Sequence, residues 1–358
     1  MTPPRPEVRR DLVALEGYHS PQVAADVRLN TNESPFPPPA GFVEELAREV
    51  TRLSLHRYPD RRAWSLRCAL AERYGRRPEE VFVANGSNEV LQTLLLTFGG
   101  PGRRALTFEP TYAMHGQITR TTGTQLVESE RGADLRLDPD SAVEAITAVR
   151  PDLIFLCSPN NPTGLEDPPD TVNRVLGASA AGPALVILDE AYGQFAGHSA
   201  VDMVAEDVPL VVTRTFSKTW SLAGLRIGYM IGPAWLVAEL DKVVLPYHLD
   251  AFKQRAAELA LGHVDEMNER VSILVAERER MSAALDRLDL DVWPSGSNFL
   301  LFRPRRVRGD DVWQHLLDRG VLVRNCASWP RLEGCLRVTV GTAEENDRFV
   351  EALEDVVR

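Results

Sequence analysis

Lysine is scarce in this chain: of its 40 lysine and arginine residues, only Lys218, Lys242 and Lys253 are lysines. Arginine stays protonated in proteins, whereas a lysine amine can lose its proton, attack a carbonyl carbon and form a Schiff base. Lys242 and Lys253 stand among mixed charged and apolar residues, as ordinary surface charges do. Lys218 instead follows an apolar run that gives way to small hydroxyl residues. We therefore expect a strand to deliver its amine into a crevice.

Polar side chains follow other apolar runs of the chain in the same way. In an open parallel sheet, ligands bind beyond the carboxyl ends of the strands, so these side chains are expected to line one crevice with Lys218. The candidates are Gly86, Ser87, Asn88, Tyr112, Asn161, Asp189, Tyr192, Thr215, Ser217 and Arg226. For these candidates a purely structural role is weighed below against a role in binding a ligand.

Two groups of these candidates suit an anion. Gly86 stands in a turn that opens a helical stretch, where free backbone N–H groups and the helix dipole favour a phosphate. An ordinary capped turn explains the same residues and, on this feature alone, is the commoner case. The hydroxyl groups of Thr215 and Ser217, with the guanidinium of Arg226, also suit phosphate. Taken alone, Arg226 is an ordinary surface charge.

The other candidates suit a planar ligand that carries a positive charge. Asp189 ends an apolar run, and a buried carboxylate needs a partner: an arginine, a helix N-terminus or a cationic cofactor. Tyr192 is placed to reach the same crevice, while Tyr112 either stacks on a planar ring or packs in the core. Asn161 lies in a loop fixed by two prolines and a glycine. It offers a rigid hydrogen-bond donor or simply forms a surface turn.

Short apolar runs alternate with helical stretches up to about residue 245. This alternation predicts an α/β fold with a mainly parallel sheet covered by helices on both faces. The runs are Val81–Val83, Ala105–Phe108, Leu153–Leu156, Leu185–Leu188 and Leu210–Val212.

The pattern changes after Pro246. Apolar residues recur at helical spacing over residues 271–288, and Thr342-Ala343-Glu344-Glu345 is typical of a capping box that opens the last helix. Strands of a smaller sheet are predicted at 298–302, 321–323 and 336–340. We therefore expect an N-terminal arm (1–28), a large domain (29–245) and a small C-terminal α+β domain (246–358).

The composition narrows the class of protein. The net charge of -11 argues against a nucleic-acid partner, which would require a basic face. No apolar segment resembles a signal peptide or a membrane span, so no membrane partner and a cytoplasmic location are expected. The four cysteines show no C-x-x-C spacing, which favours small buried thiols over a metal site or a disulfide framework.

Several motifs occur in a characteristic order: Asn161-Pro162-Thr163-Gly164, Asp189-x-x-Tyr192, Ser217-Lys218 and Arg226. This pattern resembles that of the fold type I pyridoxal-phosphate aminotransferases, and most closely that of the histidinol-phosphate aminotransferase family. The resemblance covers nearly the whole chain, including the strings Arg28–Glu33, Arg57–Asp60 and Gly334–Gly341. It implies a seven-stranded, mainly parallel sheet in the large domain and a homodimer as the functional unit.

The resemblance also implies a role for each candidate. Lys218 would bind pyridoxal 5′-phosphate as a Schiff base and later transfer the substrate proton, and Asp189 would keep the pyridine nitrogen protonated. Asn161 and Tyr192 would hydrogen-bond the phenolic oxygen, and Tyr112 would stack on the ring. The phosphate would be surrounded by Gly86, Ser87, Asn88, Thr215, Ser217, Arg226 and Tyr58 of the partner subunit.

Substrate binding is implied at other positions. Arg337 matches the arginine that grips the α-carboxylate of an amino acid, and Arg324 matches a second substrate-facing arginine. Tyr18 matches a tyrosine that closes over the substrate, and Asn161 also faces it. Histidinol phosphate carries a phosphate ester near the place of the α-carboxylate of glutamate, and guanidinium groups suit both anions. We therefore expect reversible ping-pong amino transfer between L-histidinol phosphate and 2-oxoglutarate, giving imidazole acetol phosphate and L-glutamate, in histidine biosynthesis.

Three alternatives stay open. Aromatic amino-acid aminotransferases, including those for phenylalanine, share nearly all these motifs. A lyase similar to threonine-phosphate decarboxylase also has a phosphate-bearing substrate. A non-catalytic regulator would need an added DNA-binding domain.

The motif assigns no role to Cys326–Pro330, between the two arginines. Trp329 in this segment is expected to pack rather than to line the substrate mouth.

Overall fold

A computed structural model describes residues 5–13, 15–17, 23–180 and 182–357 of the chain. Within these residues the strands are β1 (Val27–Leu29), β2 (Val81–Ala84), β3 (Arg104–Glu109), β4 (Gln125–Glu130), β5 (Leu153–Cys157), β6 (Leu185–Asp189), β7 (Leu210–Thr215), β8 (Gly228–Ile231), β9 (Leu290–Val292), β10 (Phe299–Pro304), β11 (Val321–Asn325) and β12 (Leu336–Thr339). The α-helices are α1 (Ala40–Val50), α2 (Trp64–Tyr74), α3 (Ser87–Phe98), α4 (Ala113–Thr121), α5 (Pro139–Val149), α6 (Thr171–Ser179), α7 (Ala234–Val243), α8 (Ala251–Ala260), α9 (Val264–Leu285), α10 (Gly309–Asp318) and α11 (Ala343–Val357).

The larger sheet has seven strands in the order β2-β8-β7-β6-β5-β3-β4. Only β8 runs antiparallel to its neighbours, β2 and β7; every other pair is parallel. The five apolar runs are five of these strands, so the predicted fold class is confirmed. No strand was predicted at β4, whose residues are all exposed or only partly buried at the edge of the sheet, or at β8.

Alternate residues of the central strands enter two different cores. Val186 and Leu188 of β6 pack on one face of the large sheet, whereas Leu185 and Ile187 pack on the other. Successive side chains of a strand point to opposite faces, and a parallel sheet covered by helices on both sides buries both sets. This burial fixes the register of the strands and therefore the positions of the residues that follow them.

The smaller sheet has five strands in the order β1-β11-β12-β10-β9, and only the β1–β11 pair is parallel. The predicted C-terminal strands correspond to β10, β11 and β12, and the predicted long helix is α9. The capping box is also confirmed: the Thr342 backbone N–H donates to Glu345 Oε2 at 2.9 Å, and the Glu345 N–H donates to Thr342 Oγ1 at 3.2 Å.

Two segments pack against a different part of the molecule from the one in which the predicted domain boundaries place them. Val27–Leu29 straddles the boundary between arm and large domain but pairs with Val321–Val323 of the smaller sheet. Leu249, Ala256 and Met267, placed in the small domain, belong to the apolar core of the large sheet. The boundaries themselves stay a prediction.

Cys68, Cys157, Cys326 and Cys335 are free thiols, and all but Cys68 are buried. Among the described residues, no group of three or more histidine, cysteine, aspartate or glutamate side chains is arranged to hold a metal ion. The described helices include none with both the length and the apolar character required to cross a membrane.

Candidate active site

A cavity opens where the carboxyl ends of β5, β6 and β7 face the smaller sheet. Strand ends of the larger sheet form one side of it, while the segment after β1, strand β12 and the β11–β12 loop form the other. The lining residues are Asn30, Thr31, Asn32, Ser87, Asn88, Tyr112, Ala113, Cys157, Asn161, Asp189, Ala191, Tyr192, Thr215, Ser217, Lys218, Arg226, Trp329 and Arg337. The structure therefore brings most of the predicted site residues to a single place.

Lys218 stands three residues beyond the end of β7 and is half-buried in the cavity wall. Its Nζ donates to the carbonyl oxygen of Thr31 at 3.1 Å and lies 5.6 Å from the ring centre of Tyr192. Burial, with the nearby positive charge of Arg337, lowers the pKa of Lys218 to about 7. Because only the neutral amine is a nucleophile, this environment prepares Lys218 for covalent chemistry near neutral pH.

Asp189 is the last residue of β6, and its side chain is held from two sides. Oδ1 accepts hydrogen bonds from the backbone N–H of Ala191 at 3.0 Å and from Thr213 Oγ1 at 3.3 Å. Oδ2 lies 3.1 Å from Nε2 of His115, a buried residue whose ring stacks on Phe155 at 4.7 Å. The carboxylate is therefore fixed at the cavity wall, with a direction set by its neighbours.

Arg337 extends from β12 into the cavity and is almost fully buried. Its guanidinium donates to the side-chain carbonyl of Asn161 and, at 3.1 Å, to the backbone carbonyl of Asn30. The group also lies 5.0 Å from the ring centre of Phe299. Because Arg337 occupies the Asn161 carbonyl oxygen, the amide nitrogen of Asn161 is the group left to donate into the cavity.

The hydroxyl group of Tyr192 is the second donor on this side. Its oxygen accepts a hydrogen bond from Nδ2 of Asn32 at 2.9 Å, and its ring meets Phe299 edge to face at 5.1 Å. Burial raises the pKa of Tyr192 to about 12, although the charge of Arg337 opposes the shift. The hydroxyl group therefore keeps its proton across the working pH range of most enzymes.

The start of α3 and the loop after β7 form a compact polar corner. Ser217 Oγ accepts hydrogen bonds from Arg226 Nη1 at 3.2 Å and from Thr215 Oγ1 at 2.9 Å. Gly86 adopts a φ of 85°, and a Cβ there would lie 2.9 Å from Arg226 Nη2. Glycine at this position keeps the corner open beside the N-terminus of the helix. Hydroxyl, guanidinium and backbone N–H groups thus converge on a place suited to an anion.

Two further side chains support this corner. The hydroxyl of Tyr112 donates to Asn88 Oδ1 at 3.2 Å, so both residues are held at the cavity rim. Lys253 Nζ donates to Asn85 Oδ1 at 2.8 Å, immediately before Gly86. The interpretation of Lys253 as an ordinary surface charge is therefore wrong, because it anchors the turn that opens α3.

Among the described residues, three predicted site residues do not line the cavity: Gly86, which lies beside the polar corner, Arg324 and Tyr58. Arg324 lies opposite Arg337 across β11 and β12, but its guanidinium stacks over the ring of Trp329 at 5.0 Å. There it borders two clefts beside the cavity. The side chain of Tyr58 is 81% exposed, and Tyr18 lies outside the described residues. The expectation that Trp329 only packs is wrong, since it also lines the cavity.

With the geometry established, comparison with known proteins identifies the family. The model of the aminotransferase class I and II family matches residues 25–353. The chain belongs to this family. This aminotransferase is 44% identical over 355 residues to the histidinol-phosphate aminotransferase of Mycobacterium avium strain 104, a match that covers 96% of this chain and 87% of the relative.

Solved structures share the fold of this aminotransferase at low sequence identity. Histidinol-phosphate aminotransferase from Sinorhizobium meliloti, in complex with pyridoxal-5′-phosphate, matches with a TM-score of 0.83 and 24% identity, over 94% of this chain and 92% of its own. L-threonine-O-3-phosphate decarboxylase from Porphyromonas gingivalis matches with a TM-score of 0.80 and 22% identity, over 92% and 98%. Because one fold carries different reactions, the fold alone does not choose between them.

Sequence reasoning missed several residues at or beside the aminotransferase site, among them His115, Asn32 and Trp329. His115 lies one helical turn beyond Tyr112, a spacing that could have drawn attention to it. Asn32 belongs to a string that was quoted for the resemblance, but the string gives no sign of its contact with Tyr192. Trp329 carried no signal, because an indole that packs and one that lines a cavity have the same sequence pattern.

Proposed function

We propose that this aminotransferase catalyses reversible ping-pong amino transfer between L-histidinol phosphate and 2-oxoglutarate, with pyridoxal 5′-phosphate as cofactor, in histidine biosynthesis. The observation that carries the proposal is that a lysine amine, a buried carboxylate and an arginine meet at one cavity: Lys218, Asp189 and Arg337. Such an amine reacts with a carbonyl cofactor, and such an arginine binds an anionic amino donor. The 44% identity to a histidinol-phosphate aminotransferase favours that donor.

The cavity residues fit the cofactor. Its phosphate suits the polar corner, where a Cβ at Gly86 would close the space beside Arg226. Its pyridine nitrogen suits the fixed carboxylate of Asp189, and its phenolic oxygen suits the donors of Asn161 and Tyr192. When bound, pyridoxal phosphate supplies the carbonyl group and the electron sink that amino transfer requires.

Lys218 would bind the cofactor and later move the proton at Cα of the substrate. A pKa of about 7 suits both tasks, because a general base works best when its pKa lies near the operating pH. The carbonyl of Thr31 accepts from the amine and keeps it on one side of the cavity. Asp189, held by His115, would keep a positive charge on the ring nitrogen.

Arg337 would bind the anionic group of either substrate. Arg324 occupies the directly opposite position on the neighbouring strand, and we propose it as a second ligand that acts from the adjacent cleft. Side chains at opposed positions of neighbouring strands lie on the same face of the sheet. Two guanidinium groups side by side suit a phosphate ester, which presents more acceptor oxygens than a carboxylate does. Tyr18 would close over the substrate.

A homodimer is the proposed functional unit, with Tyr58 of each chain reaching the cofactor phosphate of its partner. Tyr58 is exposed and stacks on Tyr247 at 4.5 Å, an arrangement expected of a residue that meets another molecule. Leu55 and Leu245 are each 76% exposed, which also suits an interface. The cytoplasmic location and the absence of nucleic-acid or membrane partners stay predictions from composition.

A half-reaction screen tests the proposed substrate. Purified holoenzyme is mixed separately with histidinol phosphate, phenylalanine, histidine and threonine phosphate, and the loss of cofactor absorbance is followed without any keto acid. We expect histidinol phosphate to react with the highest kcat/KM. Equal or faster reaction of phenylalanine would reassign the protein as an aromatic aminotransferase, and release of carbon dioxide from threonine phosphate would reassign it as a lyase.

A further inference from the structure

Asn32 is buried beside the cavity, and each of its polar groups has a partner. Its backbone N–H donates to Thr339 Oγ1 at 2.9 Å, and its carbonyl oxygen accepts from Nδ2 of Asn298 at 3.2 Å. Its side-chain Oδ1 accepts from Thr339 Oγ1 at 3.1 Å, while its Nδ2 donates to the hydroxyl of Tyr192 at 2.9 Å. Asn32 and Thr339 belong to the smaller-sheet side of the cavity, whereas Tyr192 follows a strand of the larger sheet.

This arrangement selects one orientation of the Asn32 amide. With the amide reversed, Nδ2 would face Thr339, whose buried hydroxyl would lose Oδ1 as the acceptor for its own hydrogen. A buried donor without an acceptor costs about 1–3 kcal/mol. Thr339 therefore holds Oδ1 towards itself and turns the N–H₂ group of Asn32 towards Tyr192.

The orientation of Asn32 in turn sets the direction of the Tyr192 hydroxyl. Because the tyrosine oxygen already accepts from an N–H donor, its own hydrogen must point elsewhere, and the open direction is the cavity. Asn161 follows the same logic, since Arg337 occupies its carbonyl oxygen and leaves its amide nitrogen to donate. Both proposed donors to the cofactor's phenolic oxygen thus have their acceptor atoms engaged from the smaller-sheet side.

The backbone provides a second reason for asparagine at this position. Asn32 has a φ of 55°, in the left-handed region that asparagine and aspartate tolerate better than other residues with a side chain. Aspartate is therefore the substitution that preserves the backbone while removing the N–H donor. A carboxylate would instead accept the hydrogen of Tyr192.

We propose that Asn32 is a positioning residue that directs the Tyr192 hydroxyl to donate to the phenolic oxygen of the bound cofactor. The inference rests on the proposed function only in that pyridoxal phosphate occupies the cavity. Tyr192 keeps its proton because burial raises its pKa to about 12. The other ionisable groups that face it are Arg337, Asp189, Cys157 and Lys218.

The test is a pH titration of the visible absorbance of the holoenzyme. A donor to the phenolic oxygen stabilises its deprotonated form, so loss of that donor raises the pKa of the bound cofactor. We expect Asn32→Asp to raise that pKa by about 1. Asn30→Asp is the matched control for charge, because it adds a carboxylate two residues away in the same cavity lining.

A double-mutant cycle separates two effects on the pKa of the bound cofactor: the direction of the Tyr192 hydroxyl and the added negative charge. In a Tyr192→Phe background no hydroxyl remains to be turned, so Asn32→Asp should raise the pKa no more than Asn30→Asp does. The proposal is wrong if Asn32→Asp exceeds its control by the same amount in both backgrounds, or if it does not exceed its control when Tyr192 is present.

A second pair of variants acts through Thr339 and keeps the test decisive if Asn32→Asp fails to fold. Thr339→Val retains the shape but removes the hydroxyl that orients the Asn32 amide, whereas Thr339→Ser retains the hydroxyl. We expect Thr339→Val to raise the cofactor pKa and Thr339→Ser to leave it near that of the unmodified enzyme. Equal values for the two variants would overturn the proposal. The titration needs no amino donor, so an error in the assigned substrate would not affect it, whereas absence of cofactor absorbance would refute the proposed function first.

Discussion

The two sides of the cavity are built in different ways. The strand-end side consists of Asn161, Asp189, Tyr192, Thr215, Ser217 and Lys218, all of which closely follow or end strands of the larger sheet. The small-sheet side consists of Asn30, Thr31, Asn32, Trp329 and Arg337. It combines a segment near the N-terminus with a strand and a loop more than 290 residues later in the chain. The first side is made by one sheet edge, and the second by distant segments that meet only in the folded protein.

This difference suggests a division of labour. Register fixes the strand-end side, because each of its strands is buried on both faces and cannot slip by one residue without exposing apolar side chains. The small-sheet side instead supplies partners to groups already in place: Thr31 to Lys218, Asn32 to Tyr192 and Arg337 to Asn161. We therefore expect substitutions on the first side to abolish the chemistry, and those on the second to tune it or to weaken substrate binding.

Removal of the lysine amine should have the largest effect. Lys218→Ala should still bind pyridoxal phosphate noncovalently through the polar corner, but turnover should fall by at least about 10³-fold, because both the nucleophile and the general base are lost. The absorbance spectrum and single-turnover assays with histidinol phosphate measure both effects. Lys218→Arg is the matched control for charge and should be as inactive; turnover near that of the unmodified enzyme in either variant would overturn the assignment.

Two consecutive acidic residues, Asp189 on the strand-end side and Glu190 behind it, should respond differently to substitution. Asp189→Asn removes the charge proposed to face the ring nitrogen and should lower kcat/KM by about 10²- to 10³-fold with a small change in Tm. Glu190, next in the chain, instead accepts from Arg214 at 2.6 Å. Glu190→Gln weakens a buried ion pair and should lower the free energy of unfolding by about 3 kcal/mol while the folded enzyme stays active. If Glu190→Gln lost more activity than Asp189→Asn, the roles would have to be exchanged.

Substitution of the arginines of the smaller sheet should have a smaller effect on activity, and the effect should differ between the two positions. Arg337→Lys keeps the charge but loses the forked geometry, so KM for the amino donor should rise about 10-fold with kcat less affected. Arg324→Lys, at the opposite position of the neighbouring strand, should raise KM for histidinol phosphate about 3-fold and that for glutamate less. A larger effect at Arg324 than at Arg337 would show that the cleft beside the cavity, not the cavity itself, binds the substrate anion.

The same division explains what could be predicted from the sequence. Lys218 and Asp189 were found because a short apolar run marks a strand, and parallel topology brings strand ends together. No local pattern reports that Asn32 meets Tyr192 or that Trp329 stacks on Arg324, because those contacts depend on how distant segments pack. β8 was missed for a related reason, since an antiparallel strand within a mostly parallel sheet breaks the strand–helix alternation on which the prediction depended.

The last prediction concerns stability rather than activity, and it arises where the two sides meet. In the cofactor-free protein, Lys218 has a pKa of about 7, well below its ordinary value of 10.5. The unfolded chain therefore binds more protons than the folded one between these values, so the stability of the protein should rise with pH across that window. Lys218→Met removes this ionisation, and the variant should lose that dependence.

The measurement is the Tm of the cofactor-free proteins at pH 7 and at pH 10.5. The stability of Lys218→Met relative to the unmodified protein should be roughly 2 kcal/mol greater at pH 7 than at pH 10.5. This is less than the full pKa difference would give, because the amine is only half-buried. Comparison of the two pH values cancels the constant cost of leaving the Thr31 carbonyl without its donor. Lys242→Met is the control, since that side chain is 65% exposed and pairs with Glu239 on the surface. If the stability of Lys218→Met depended on pH as that of the unmodified protein does, the pH dependence would not come from Lys218. The pKa of the Lys218 amine would then not be lowered by burial and by Arg337 of the small-sheet side.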